Sequence, residues 1–160
     1  LSFEDKSFDI VVSSGVLHHI PNVNSGFSEA FRVTKPGGLG LITLYRRSIL
    51  HSKVLFPGVR LLMRLTRTRH PGADLATSAL TSEEFIRQYD GKQNPIGIAH
   101  TRKNWQGYLE AVGWHVVSYE SHYFPLRMSA RLRWIPAWFH KILDNQFGTM
   151  IYFVLKRPVQ

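Results

Sequence analysis

An α/β fold is what this sequence predicts, and three observations predict it. Asp9-Ile10-Val11-Val12 is a short β-branched apolar run stopped by Ser13-Ser14-Gly15. Phe27, Ala30, Phe31 and Thr34 follow at i, i+3, i+4 and i+7, the spacing of one helix face. Residues 39–45, Leu-Gly-Leu-Ile-Thr-Leu-Tyr, then form a second apolar run. Strand, helix, strand within forty-five residues is the order of a parallel crossover unit.

Each element has its own warrant. The first run is apolar without alternation, so it reads as a strand buried on both faces. Asn22 or Asn24 can cap the helix, and Lys35-Pro36-Gly37-Gly38 closes it and turns the chain into the second strand. From residue 46 to about 74 the chain is basic and helix-like, with Leu61, Leu62 and Leu65 on one side and Arg60, Arg64 and Arg67 on the other. Pro57-Gly58 is expected to split it, and its leucines to pack on the core while its arginines meet water. Thr81-Ser82-Glu83-Glu84 is a capping box that opens a short helix through Phe85 and Tyr89, ended by Asp90-Gly91. Thr101 caps a further helix whose Trp105, Tyr108, Leu109 and Val112 share a face and whose stop is Gly113. Residues 114–123 read as a strand. An aromatic-rich helix, interrupted by Pro136, covers about 132–143, and 149–155 form the last strand.

Composition bounds the function. At 160 residues and 44% hydrophobic, the chain can bury one core, and 19% charged residues is too few for a disordered tail. There is no cysteine, which removes disulfides, thiolate nucleophiles and cysteine-based zinc sites. No apolar run approaches the roughly 18 residues of a membrane span. The sequence opens at Leu1 without a secretory pattern, and the start reads as a cut; the cytoplasm is the default compartment, not a deduction. A net charge of +9 attracts phosphate or an anionic membrane surface.

Three motifs follow one another: Leu1-Ser2-Phe3-Glu4-Asp5-Lys6-Ser7-Phe8-Asp9, then Ser13-Ser14-Gly15-Val16-Leu17-His18-His19-Ile20-Pro21, then Phe31-Arg32-Val33-Thr34-Lys35-Pro36-Gly37-Gly38. Together they resemble the class I S-adenosylmethionine-dependent methyltransferases, type 11-like members in particular, which carry a Leu-Pro-Phe segment before the fourth strand, Val-Leu-His-His after it and Leu-Lys-Pro-Gly-Gly before the fifth. Ser2 stands where the family pattern has proline.

The resemblance implies a Rossmann-like doubly wound sheet of which this chain supplies the last four strands, the final one antiparallel. It also implies S-adenosylmethionine as cofactor, with Phe3 near its adenine and Ser13, Ser14, Gly15 and Leu17 near its sulfonium. In open parallel sheets ligands sit beyond the carboxyl ends of strands, where Ser13-Ser14-Gly15 falls. The family's glycine-rich loop, its ribose-binding acid and its first three strands have no counterpart here. Gly37-Gly38-Leu39-Gly40 is no substitute, because it precedes a strand rather than opening a helix. Residues 1–160 are therefore expected to form a partial domain, the C-terminal half, with a helical insertion at about 46–113, inactive alone. Loss of the neighbouring strand would leave the edge at Ile10 to Val12 open.

His19, and less so His18, are the candidate proton acceptors, because neutral imidazole titrates near working pH. The bland alternative is that one packs under the sheet and the other lines the cleft. As metal ligands they are poor, since adjacent side chains diverge and no carboxylate follows at i+3 or i+4, so no metal is expected. Ser14 lacks the Gly-x-Ser-x-Gly elbow of a hydrolase. Tyr45, Arg46 and the helices to Gly113 are candidate pocket material, with 89–95 as a loop over the cleft. Trp134, Trp138 and Phe139 read as core or a dimer face rather than a base-stacking platform, and no nucleic-acid partner is expected. The acceptor expected is a small molecule or lipid precursor. The alternative is a non-catalytic remnant that binds a partner or an anionic membrane surface through its basic helices.

Overall fold

The computed structural model describes residues 2–66, 81–88, 95–124, 129–132 and 134–159. The elements in order are β1 (Phe8–Ser14), a 3-10 turn (Leu17–His19), α1 (Val23–Val33), β2 (Thr34–Arg46), a second such turn (Ile49–His51), α2 (Phe56–Leu65), α3 (Ser82–Arg87), β3 (Ala99–His100), α4 (Arg102–Val112), β4 (His115–His122), a third turn (Ala130–Leu132), α5 (Ala137–Phe147) and β5 (Met150–Lys156). The strands make one sheet in the order β1-β2-β5-β4, and the two residues of β3 pair with the end of β2. β1 runs parallel to β2, and β5 runs antiparallel to both β2 and β4. The α/β class and the antiparallel final strand are as expected; β3 adds a short fifth strand.

One face of the sheet is built as the periodicity predicts. Ile42, Leu44, Ile151, Phe153 and Leu155 pack against Phe27 and Ala30 of α1 and Trp105 and Leu109 of α4. Gly40 leaves room for the Trp114 ring, whose Cη2 would lie 2.9 Å from an added Cβ. Asn22 caps α1, its Oδ1 accepting from the Ser25 amide at 3.2 Å. Thr101 caps α4, and Gly113 ends it at φ 111°, a left-handed conformation that a Cβ would strain. The segment between β2 and β4 is largely helical where described, yet its last helix, α4, belongs to this core.

The opposite face departs from expectation. Ile10, Val12, Leu41 and Val154 share it by register. Ile10 is 55% and Val12 65% exposed, and Leu41 is exposed as well. β1 is thus not a doubly buried strand: it is an edge strand with an uncovered apolar face. Toward the carboxyl ends of the strands this side is covered: there Tyr45 meets Phe56, Met63, Phe85 and Ile86 in a second cluster.

Local corrections have simple causes. Lys35-Pro36-Gly37-Gly38 is not a turn outside the strand. β2 begins at Thr34, paired with Phe8, and the next pair is Ile10 with Leu39, so the four residues are absorbed as a bulge. Pro57 starts α2 rather than splitting a helix, and Pro136 is the N-cap of α5, both positions where a missing N–H costs nothing. In α2 it is Phe56 and Met63 that are buried, while Leu61, Leu62 and Leu65 are exposed together with Arg64, the reverse of the expected orientation. Trp134, Trp138 and Phe139 are exposed and so are not core. The Thr81 capping box is present, with Glu84 N donating to Thr81 Oγ1 and Thr81 N to Glu84 Oε2. Arg67, the rest of the basic stretch to about 74, and Tyr89 to Asn94 of the expected loop lie outside the described residues.

Candidate functional site

The carboxyl ends of β1 and β2 lie side by side, Ser13 beside Ile42 and Ser14 beside Thr43. Gly15 turns the chain out of β1 at φ 71°, and nothing lies within 4 Å of where its side chain would project. Ser13 Oγ is buried and has no hydrogen-bond partner among the described residues. A small residue facing open space beside an unsatisfied hydroxyl fits a wall that a polar small molecule approaches closely. Leu17 contributes differently: its side chain packs into the core against α1, where Gly26 leaves room for it. Phe3 is 51% exposed and meets Phe8 edge to face at 5.0 Å, outside the sheet edge.

The two histidines have distinct settings on the turn after β1. His18 is fully buried, its ring 3.7 Å from that of Tyr45, which is also fully buried. His19 is partly buried, and its Nδ1 lies 2.7 Å from the carbonyl oxygen of Ile96. A carbonyl only accepts, so Nδ1 carries the hydrogen and the lone pair of neutral His19 sits on Nε2. The turn is held from a second side by Ile98 N, which donates to the His18 carbonyl at 3.0 Å. Residues 96–98, at the exit of the expected cleft loop, thereby fix the histidine turn to the rest of the carboxyl edge. Trp105 Nε1 donates to the Tyr45 carbonyl at 2.7 Å and ties α4 to the same place.

Tyr45 and Arg46, neighbours in a strand, part company. Tyr45 joins the second cluster, whereas Arg46 lines a cavity of about 560 Å³ at the carboxyl edge together with Arg102, Tyr119, Lys141 and residues near the end of α5. Sequence reasoning missed Arg102, Tyr119 and Lys141, because each comes from a different element and no linear spacing links them. His51 was also missed: it is buried on the turn after β2, and burial, then the Arg47 and Arg46 charges, lower its pKa to about 4. Among the described residues no cluster of histidine, aspartate and glutamate is arranged to hold a metal ion, and no helix is long and apolar enough to cross a membrane.

The fold, with its parallel β1-α1-β2 unit and antiparallel last strand, is shared with solved S-adenosylmethionine-dependent methyltransferases. Against a solved S-adenosylmethionine-dependent methyltransferase of Methanosarcina mazei the TM-score is 0.57 at 17% identity, over 100% of this chain and 64% of that one. The sequence of the methyltransferase domain family matches residues 1–42. Over 43 residues, 27% of the chain, it is 49% identical to phosphoethanolamine N-methyltransferase 2 of Caenorhabditis elegans, covering 10% of that protein. Over 38 residues, 24% of the chain, it is 47% identical to a ubiquinone/menaquinone biosynthesis C-methyltransferase of Bartonella quintana, covering 15% of that protein. The chain thus shares its fold with that structure, and its first 42 residues match the methyltransferase domain family. It spans less than two thirds of the Methanosarcina structure, and the matched segments span a small part of the curated relatives.

Proposed function

We propose that this chain is the acceptor-side half of an S-adenosylmethionine-dependent methyltransferase acting on a small molecule or lipid precursor. The observation that carries this reading is the turn at the carboxyl end of β1, where the family's sequence, an unsatisfied Ser13 hydroxyl and the open position above Gly15 coincide. Ser13, Ser14, Gly15 and the backbone at Leu17 would hold the methionine end of the cofactor, and Phe3 would lie toward its adenine. When bound, the cofactor supplies an electrophilic methyl group, leaving S-adenosylhomocysteine. The chain's own residues then act by position. The carboxyl edges of β1 and β2 orient the acceptor for in-line approach, and the buried His18–Tyr45 pair keeps the floor dry. His19 Nε2 accepts a proton when the acceptor atom carries an acidic one. The relatives' names specify a nitrogen acceptor in one case and a carbon acceptor in the other, so the shared motif does not choose the acceptor atom.

The uncovered face bearing Ile10, Val12 and Leu41, together with the open edge of β1, supports a second part to the reading. It is completed in a longer polypeptide by a strand beside β1 and helices across that face, which also bring the remaining cofactor contacts. Calorimetry with S-adenosylmethionine tests both parts. The 160-residue chain alone is expected to bind weakly or not at all, and a polypeptide extended upstream to bind. Equal, tight binding by both would overturn the half-site reading, and binding by neither the cofactor reading.

One observation favours the alternative of surface binding. The exposed Leu61, Leu62 and Leu65 lie on α2 beside the exposed Arg64, an arrangement that can insert leucines and meet anionic headgroups. On this reading the chain cosediments with phosphatidylglycerol vesicles but not with phosphatidylcholine vesicles, and L61D/L65D releases it. Recovery of the double variant with the vesicles at wild-type level would remove α2 from consideration.

A further inference from the structure

The cavity at the far side of the carboxyl edge gathers basic side chains from three elements. Its cations are Arg46 at the end of β2, Arg102 at the start of α4 and Lys141 on α5, and its carboxylate is Glu120 of β4. Glu120 is turned to His122, whose Nε2 lies 3.2 Å from Oε2. Neither Arg102 nor Lys141 makes a salt bridge among the described residues. Arg102 instead stacks over the Tyr119 ring, 4.6 Å from its centre, which fixes the guanidinium at the rim. Arg46 is fixed as well, donating to the carbonyls of Asn145 at 2.7 Å and Gln146 at 3.0 Å.

Arg46 and Arg102 face one space that Lys141 also lines, and the pKa of Arg46 is lowered by burial and then by the Arg102 charge. Holding that arrangement costs free energy unless an anion enters. Both guanidinium groups are oriented without carboxylates, Arg46 by two backbone carbonyls and Arg102 by the Tyr119 ring, which leaves N–H groups, those of Arg102 above all, for phosphate oxygens. The volume, about 560 Å³, is that of a small-molecule site.

The geometry points to an anion subsite at Arg46, Arg102 and Lys141 that takes the phosphate group of a phosphate monoester. On the transferase reading, on which only this clause rests, the phosphate anchors the far end of the methyl acceptor while its reacting end lies toward β1. Binding of the phosphate itself does not require S-adenosylmethionine, so failure of this proposal and failure of that reading are separable.

The test is titration of the full chain with inorganic phosphate and with glycerol 3-phosphate, followed by calorimetry and by amide chemical shifts, and with phosphatidylcholine vesicles carrying phosphatidic acid, followed by cosedimentation. Saturable binding that shifts the Ser121, Asn145 and Gln146 amides is expected. Arg102→Ala and Lys141→Ala should each weaken it by about tenfold, the size of one charge-assisted hydrogen bond. R102K and K141R should keep most of the affinity, and K156A, at the opposite end of the sheet, all of it. Thermal melts identify any variant that fails to fold, for which the conservative replacement carries the comparison. Binding of the free phosphates assigns a soluble ligand. Binding to the vesicles alone, still lost in R102A, assigns a lipid headgroup. Absence of both, or loss that is equal in K156A and R102A, overturns the site in favour of general attraction to a basic chain.

Discussion

His51 shows how one buried side chain can set the behaviour of the protein in acid. The Ser48 amide donates to its Nδ1 at 3.1 Å, which puts the hydrogen of the neutral imidazole on Nε2, and its pKa is lowered to about 4, first by burial and then by the Arg47 and Arg46 charges. The unfolded chain binds that proton near 6.5. Between those two values the unfolded state takes up more protons than the folded one, so stability is full above about pH 6.5 and falls as the pH drops toward about 4. The loss amounts to about 3 kcal/mol across the window. His100, lowered by burial and by Arg47, acts in the same direction. In His51→Asn the acceptor for the Ser48 amide is kept but the titration is gone. Urea denaturation across this range should therefore give a shallower pH dependence than in the parent, with the part due to His100 remaining. An unchanged slope in the variant would place the proton uptake elsewhere.

At the scale of elements, what could be read from the sequence depended on how local the cause was. The capping box at Thr81, the Thr101 cap and the Gly113 stop are decided by residues within one turn, and all three form as their spacing dictates. The core faces of α1 and α4 were legible because Phe27, Trp105 and Leu109 repeat at helical spacing. α2 misled for a physical reason. Its leucines and arginines form a clean amphipathic pattern, yet the surface available to it, made by Tyr45, Phe85 and Ile86, is met by Phe56 and Met63, and the leucines are left outside. The sequence placed the candidate site's β1 turn at a strand's carboxyl end because that turn follows directly from a strand. The basic cavity could not be read, since Arg46, Arg102 and Lys141 are brought together only by the pairing of β2, β4 and β5.

At the scale of the molecule, the asymmetry of the sheet has a consequence of its own. One face carries α1 and α4 over an aromatic core; the other shows Ile10, Val12 and Leu41 to solvent, and among the described residues β1 ends the sheet with no strand beside it. Asp9, which could protect that edge, is engaged with Lys35 at 2.9 Å. An apolar, exposed edge strand templates pairing with another chain. The 160-residue chain should therefore self-associate with rising concentration through β1, and Val12→Lys should suppress this at little cost to folding, because the side chain at 12 is already 65% exposed. Analytical ultracentrifugation of the two proteins, with urea melts as the stability control, reads the effect. If V12K lowers the association state while the melt stays within about 0.5 kcal/mol of the parent, as for an ordinary surface change, the edge is the adhesive surface. If association persists unchanged, the contact lies elsewhere, and the exposed Trp134, Trp138 and Phe139 around the start of α5 become the surface to mutate next.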